Sequence, residues 1–330
     1  NGIDPVTLST HVTRELLFSI GLDVETVDQI VWGTVVSVPR SPNVAREVAL
    51  NLGLYKTPGF SISRACASGF QSIASAAESL WLGHANIAVA GGVDVTSNAP
   101  VPHKKEVIDK LRDLPRASTS EKLGTLATMR PKDFFPVAPE ISERFTGKTM
   151  GEHAEDMAKY FGISREEQEQ YSIESHRRAH QATDQGWTSQ QMVPVINGDS
   201  VADTDNLIRP VMKPEKLQKM RPVFDRVSGT ITAATSSALT DGASAVLLMR
   251  ESTATELGLK PRAFLKSYAF PALDPRENML LGNVYSTPIA LERAGLELKD
   301  IDLFEIHEAF AAQVLSNLRC FEDDKFFREK

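Results

Sequence analysis

Ser63-Arg64-Ala65-Cys66-Ala67-Ser68-Gly69-Phe70 is the stretch from which the fold is read. An apolar strand, Phe60 to Ser63, leads into it. A helix of small residues leaves it and runs to about Leu82, with Phe70, Ile73, Ala74, Ala77 and Trp81 at helical spacing and Gly83 as its stop. A strand that turns into a helix at a cysteine presents a thiol at the strand tip, with the positive end of the helix aimed at it. The dipole and the open N–H groups of the first turn favour thiolate over thiol at such a place. Taken alone, the stretch leaves two readings level: a reactive thiol, or the small buried hydrophobe that a free cysteine commonly is.

The surrounding pattern extends the strand–helix alternation. Residues 9–20 form an amphipathic helix through Val12, Leu16, Leu17 and Ile20, stopped by Gly21, and a strand follows from Ile30 to Val36. A helix over 43–52 precedes the Phe60 strand. Beyond Gly83, Asn86 to Ala90 is a continuous apolar strand closed by Gly91-Gly92. Alternating strands and helices predict an α/β sheet buried on both faces.

From Ala99 to Lys148 this periodicity breaks. Pro100, Pro102, Pro115, Pro131, Pro136 and Pro139 mark an inserted, loop-rich segment with one short helix near Lys104 to Leu111. Its basic residues Lys104, Lys105, Lys110, Arg112, Arg116 and Lys122 read as a solvated surface before they read as an anion site. Two capping boxes follow. Thr149-Met150-Gly151-Glu152 opens a helix that turns Ala154, Met157, Ala158 and Phe161 inward and stops at Gly162; Ser164-Arg165-Glu166-Glu167 opens a longer one to about Gln185. His176 and His180 lie one turn apart on the latter, but no cysteine or carboxylate pattern accompanies them, so no metal is expected. Thr230 to Ser237 reads as a Thr/Ser/Ala-rich strand end suited to lining a cleft, and Ala245 to Met249 as another apolar strand.

Composition narrows the function classes. The 330 residues are 42% hydrophobic with a net charge of −7, which argues against a general nucleic-acid or membrane-surface role. Two cysteines, Cys66 and Cys320, cannot build a disulfide framework, and a reducing compartment is the default. No apolar run reaches the ~20 residues of a membrane span. No signal peptide is seen, although a chain that starts at Asn1 without methionine gives that observation little weight.

An internal repeat divides the chain. Gly21-Leu22-Asp23-Val24-Glu25-Thr26-Val27-Asp28-Gln29-Ile30 matches Gly295-Leu296-Glu297-Leu298-Lys299-Asp300-Ile301-Asp302-Leu303-Phe304 in residue type at nearly every position. Each copy follows an amphipathic helix, the second starting at Thr287-Pro288, and each enters a strand, the second from Leu303 to Ile306. Two halves of like topology would bring His307 and Glu308, at the end of the second strand, toward the cleft that holds Cys66. Cysteine with histidine nearby is an arrangement for nucleophilic catalysis.

Ser63-Arg64-Ala65-Cys66-Ala67-Ser68-Gly69 resembles the nucleophile segment of the thiolase family, and Gly91 to Ser97, Leu239 to Ala243 and His307-Glu308-Ala309-Phe310 resemble three further family motifs in family order. The resemblance implies an α/β thiolase-like fold of five layers, α-β-α-β-α. Two duplicated halves are expected, an N-terminal one over 1–99 and 240–262 and the start of a C-terminal one over 263–330, with an inserted loop domain over 100–239 that binds CoA. It implies a 3-ketoacyl-CoA thiolase of fatty-acid β-oxidation. Cys66 would attack the 3-keto carbonyl and hold the acyl group as a thioester until CoA takes it. Met150, Val223, Phe224, Ala233, Ser237, Ala309 and Phe310 fall on CoA-binding positions, Ser237 bonding the pantetheine. His307, where most relatives have asparagine, would position an oxyanion-hole water, Glu308 would brace that loop, and the Cys66 N–H would serve the other oxyanion hole. The histidine form resembles the β subunit of the fatty-acid oxidation trifunctional complex, bacterial or mitochondrial. That implies an α subunit carrying hydratase and dehydrogenase activities, peripheral membrane contact through 100–148, a homodimer, and a cytoplasmic or mitochondrial-matrix location. CoA enters as substrate, and no cofactor or metal is implied.

The family's Gly-His-Pro and Cys-x-Gly motifs have no counterpart and are expected beyond Lys330, and the first family strand is expected before Asn1. On this reading the C-terminal half is incomplete and this stretch alone is inactive. A biosynthetic acetyl-CoA acetyltransferase and a non-catalytic acyl-CoA-binding protein on the same fold are the alternatives.

Overall fold

A computed structural model describes residues 2–101, 103–130, 135 and 142–323; Pro102, Pro131, Pro136 and Pro139 of the loop-rich segment lie outside them. Helix α1 (Pro5–Ile20) starts at Asp4, whose carboxylate accepts the N–H groups of Val6 and Thr7, and ends at Gly21 with φ 70°. Strand β1 (Gln29–Gly33), helix α2 (Val44–Asn51), strand β2 (Gly59–Ile62), helix α3 (Ser68–Trp81) and strand β3 (Ile87–Asp94) follow in the expected alternation. β1 lies between β2 and β3, parallel to both. After the insertion with helices α4 (Lys105–Asp113) and α5 (Thr119–Ala127), helices α6 (Met150–Tyr160) and α7 (Arg165–Asp184), the small hairpin β4 (Val195–Asn197) and β5 (Ser200–Ala202), and the short helix α8 (Pro214–Leu217), strand β6 (Gly242–Met249) returns antiparallel to β3. The chain closes with α9 (Glu251–Glu256), α10 (Gly282–Ala294) and α11 (Ala311–Glu322).

In the sheet, ordered β2-β1-β3-β6, the central strands β1 and β3 are buried on both faces, while Phe60 of β2 and Val246 of β6 are exposed. Alternate residues explain how. Ile30, Trp32, Ile87, Val89 and Val93 point to one side, under Leu17 of α1 and Val44, Ala45, Val48 and Ala49 of α2. Val31, Ala88 and Ala90 point to the other, under Ala76 and Leu80 of α3. A second core joins α6 to α11 through Ala154, Ala158 and Ala312.

Several local expectations are corrected. α3 rests on the sheet through Ser72, Ala76 and Leu80, and Ala74 and Ala77 are buried as well, whereas Phe70 and Trp81 are exposed. β3 does not stop at Gly91-Gly92. A Cβ on Gly91 would lie 2.4 Å from the Trp32 ring and 2.5 Å from the Ser244 carbonyl, so the glycine admits a buried indole rather than ending the strand. Residues 230–237 form a 3-10 turn, Ala233–Thr235, and not a strand end. α10 starts at Gly282, before Thr287-Pro288, and the Thr287 hydroxyl donates to the Asn283 carbonyl.

The repeat holds in geometry up to its last step. Gly21 and Gly295 both adopt the left-handed conformation, and 3-10 turns follow at Val24–Thr26 and Leu298–Asp300. Leu303 to Ile306, however, is not a strand: it pairs with no strand among the described residues, and Leu303 is 82% exposed.

Candidate active site

The Cys66 segment is built from the backbone upward. Ala65 sits at φ 44°, a left-handed conformation that costs a non-glycine residue about 1–2 kcal/mol. Ser68, 4% exposed, offsets that cost. Its Oγ accepts the Arg64 N–H at 2.8 Å and donates to the Ala65 carbonyl at 2.6 Å, and its own N–H reaches the same carbonyl at 3.0 Å. No side chain caps α3 at Ala67. The tight turn therefore carries Cys66, exposed, just ahead of an uncapped helix N-terminus.

Most of the residues assigned to CoA contacts gather elsewhere. Ser236 bridges to Phe310, and the Ser237 N–H donates to the Ala309 carbonyl at 2.9 Å. Phe310 meets Phe224 edge to face with centroids 5.7 Å apart. The Val223 N–H donates to the Ile231 carbonyl, and Ala233 opens the 3-10 turn two residues on. Met150 begins α6 beside Gly151, where a Cβ would fall inside the Phe224 ring. The loop that holds these groups hangs from Glu155 of α6, which is 2% exposed. One of its oxygens accepts the Thr230 N–H and hydroxyl at 2.7 and 2.8 Å; the other accepts the Ile231 N–H at 3.0 Å.

Glu308 is held from α7. Its two oxygens accept the hydroxyls of Tyr171 and Ser175, each at 2.6 Å, and burial together with this carboxylate pushes the Tyr171 phenol upward. His307 is exposed and makes no hydrogen bond among the described residues.

Topology relates the two groups. β6 is antiparallel, so Gly242 lies opposite Asp94 at the carboxyl ends of β1 to β3, the edge from which Cys66 also projects. Two carboxylates lace this edge. Asp94 accepts the N–H groups of Val35 and Val36, and Asp241 accepts the Ser97 N–H and the hydroxyls of Thr96 and Ser97. The segment entering β6 carries Ser236 and Ser237, and with them Ala309 and Phe310, to that edge. β2 and β6 are its outer strands, roughly 14 Å apart at the usual spacing. The structure thus groups the CoA-assigned residues and places Cys66 on the same edge, with no hydrogen bond between Cys66 and His307.

Glu155, Tyr171 and Ser175 carry no local signal in the sequence, because each acts on a partner at least 75 residues away. His176 accepts the Arg209 N–H through Nδ1, and His180 lies 3.4 Å from Asp184. No cluster of three metal-binding side chains occurs among the described residues. Cys320 is 2% exposed and burial, with Asp323 nearby, pushes its thiol up to about 11, the behaviour of a core cysteine.

His153, on the α6 face behind this loop, is buried at 6% exposure against Thr146 Oγ1, 3.0 Å from Nε2. Burial, then Lys148, hold its pKa below the ordinary 6.5, against Asp156, Glu143 and Glu152, which raise it. The unfolded chain therefore takes up this proton first. Its contribution is present above about pH 6.5 and is lost as the pH falls below that value. Thermal midpoints measured for the parent and for His153→Gln should converge in pH dependence only if this assignment fails; the variant is expected to show the flatter acid limb.

Two family models match the chain: the thiolase N-terminal domain over residues 2–252 and the thiolase C-terminal domain over 259–326. The chain is 44% identical over 336 residues to a 3-ketoacyl-CoA thiolase of Yersinia enterocolitica, and 45% identical over 335 residues to one of Yersinia pestis; the alignments cover 100% of this chain and 77% of each relative. Among solved structures it is similar to human mitochondrial 3-ketoacyl-CoA thiolase, with a TM-score of 0.84 at 29% identity, covering 98% of this chain and 79% of that one. The Bacillus anthracis acetyl-CoA acetyltransferase gives 0.83 at 30% identity, with the same coverage.

Proposed function

This chain belongs to the thiolase family, and from that membership we propose that it works by thiolytic cleavage of 3-ketoacyl-CoA with Cys66 as the nucleophile. It is an acyltransferase, a 3-ketoacyl-CoA thiolase. The observation that carries the choice of Cys66 is its exposed position on a rigid turn at an uncapped helix N-terminus.

In the mechanism the Cys66 thiolate adds to the 3-keto carbonyl. The bond between C2 and C3 breaks, its electron pair passes to the acetyl-CoA fragment, and that carbanion is protonated and leaves as acetyl-CoA. The acyl group stays on Cys66 as a thioester until the thiol of a second CoA displaces the sulfur. Cysteine suits both steps, since a thiolate is a good nucleophile and a good leaving group. The Cys66 N–H donates to the developing oxyanion, and His307 positions a water at the second oxyanion site. Glu308, locked by Tyr171 and Ser175, holds that loop still. Pantetheine runs beside Ser237 and the Phe224–Phe310 pair, with Met150, Val223, Ala233 and Ala309 completing its walls.

Residues 1–99 with 240–262 form one half, 263–330 belong to the second, and 100–239 are the CoA-binding insertion. The protein pairs as a homodimer and works as the β subunit of a β-oxidation complex, in the cytoplasm or the mitochondrial matrix, with CoA as substrate and no cofactor. Helices α4 and α5 expose Ile108, Leu111, Leu123 and Leu126 among their lysines and arginines, a surface suited to an α subunit or a membrane face. No helix of the described residues is long and apolar enough to cross a membrane.

The test is acetyl-CoA formation by the full-length protein from 3-ketoacyl-CoA of graded chain length plus CoA. Cleavage across medium and long chains is expected. Turnover of acetoacetyl-CoA alone would move the assignment to the biosynthetic acetyltransferases, and binding without turnover would leave an acyl-CoA-binding protein.

A further inference from the structure

Arg64, two residues before Cys66, has its backbone held by Ser68 and its side chain held from a distant part of the chain. Its guanidinium carbon stands 4.6 Å from the centroid of the Phe270 ring. Phe270 continues into an aromatic row: Tyr268 lies 5.5 Å from it, and Trp81 stacks on Tyr268 at 6.2 Å with the rings 6° from parallel. The row is tied down at Tyr268, whose hydroxyl donates to Glu78 and whose carbonyl accepts Arg293 Nη1 of α10 at 2.6 Å. Trp81 and Glu78 sit at the far end of α3, and Arg64 stands before its beginning. Residues 268–270 therefore connect the last turn of the helix to the turn that carries Cys66.

We propose that Phe270 and Arg64 are positioning residues for the nucleophile: the ring holds the guanidinium, and the guanidinium holds the Arg64–Ser68 turn that sets where the Cys66 sulfur points. The proposal rests on Cys66 being the nucleophile. The physical need for such a hold is on the turn itself. Ala65 occupies a left-handed conformation that it would leave if released, and relaxation there rotates the residue that follows it. Ser68 fastens the turn from inside; the cation over the ring fastens it from outside. Because Phe270 lies within the second of the two matched domains, the contact also couples that domain to the nucleophile of the first.

The test uses the full-length protein and two readouts: kcat and KM for CoA, and the rate at which iodoacetamide alkylates Cys66. Phe270→Leu keeps an apolar side chain but removes the ring face; Arg64→Gln removes the cation; Arg64→Lys restores it. Phe270→Leu and Arg64→Gln are each expected to lower kcat and the alkylation rate by about three- to tenfold with little change in KM, and Arg64→Lys to recover part of the loss. The double variant should be no worse than the worse single one, since both break the same contact. Unchanged kcat and alkylation in Phe270→Leu, a lowered thermal midpoint as its sole effect, or strict additivity of the two changes would overturn the proposal. Alkylation is read on the thiol whether or not the protein turns over, so a shift in alkylation without any thiolase activity in the parent would count against the functional reading and not against the contact.

Discussion

Cys66→Ala is expected to abolish acetyl-CoA formation while leaving the protein folded. Removing a covalent nucleophile costs on the order of 10⁵-fold in kcat or more, because the residual groups can bind and polarise but cannot form the thioester. Stability should stay within about 0.5 kcal/mol of the parent, since Cys66 is exposed and its sulfur packs in no core. The second cysteine supplies the internal control. Cys320 lies among Met157, Leu281 and Val284, so Cys320→Ala is expected to lower stability by about 1–2 kcal/mol with kcat unchanged. Rate measurements with thermal melts on the two variants separate the roles. Wild-type turnover in Cys66→Ala would remove the thiol from the mechanism altogether.

What sequence conveyed here depended on the range of the interaction. Strand, turn and small-residue helix around Cys66 are local, and the structure reproduces them from Gly59 to Trp81. The repeat was legible for the same reason: a left-handed glycine and the 3-10 turn after it are fixed by a few neighbouring residues, and both copies show them. The apolar run of Leu303 to Ile306 reads as a strand, but a strand exists only with a partner, which no local pattern supplies. Gly91 misled in a related way. A glycine pair reads as a stop, and only the Trp32 ring pressed against it shows that it makes room. The cross-fold contacts that organise the site have no local signature, because each joins distant parts of the chain. Glu155 meets Thr230 and Ile231, and Glu308 meets Tyr171 and Ser175. Glu308 stands in a motif that the sequence displays, whereas Tyr171, Ser175 and Glu155 show their part only through the partners they meet.

Gly33→Ala should strike the nucleophile through that hidden support. A Cβ at position 33 would stand 2.6 Å from the Ser68 carbonyl oxygen and 2.7 Å from its carbon, both backbone atoms with no rotamer to escape into. The strand cannot yield, because Gly33 is paired on one side with Ile62 of β2 and on the other with Gly92 of β3. The first turn of α3 has to move instead, and Ser68 moves with it. Ser68 Oγ holds the Arg64 N–H and the Ala65 carbonyl, so the displacement passes directly to Cys66. Overpacking of this kind costs about 1–3 kcal/mol of stability, which a folded protein of this size tolerates. The catalytic cost is larger in proportion: shifting a reacting group by about 1 Å lowers the rate on the order of 100-fold. Gly33→Ala is therefore expected to remain folded at room temperature, to keep its KM for CoA, and to lose about two orders of magnitude in kcat. Steady-state kinetics below the thermal midpoint would check it, and a kcat within about twofold of the parent would show that the turn carrying Cys66 does not depend on β1 for its placement.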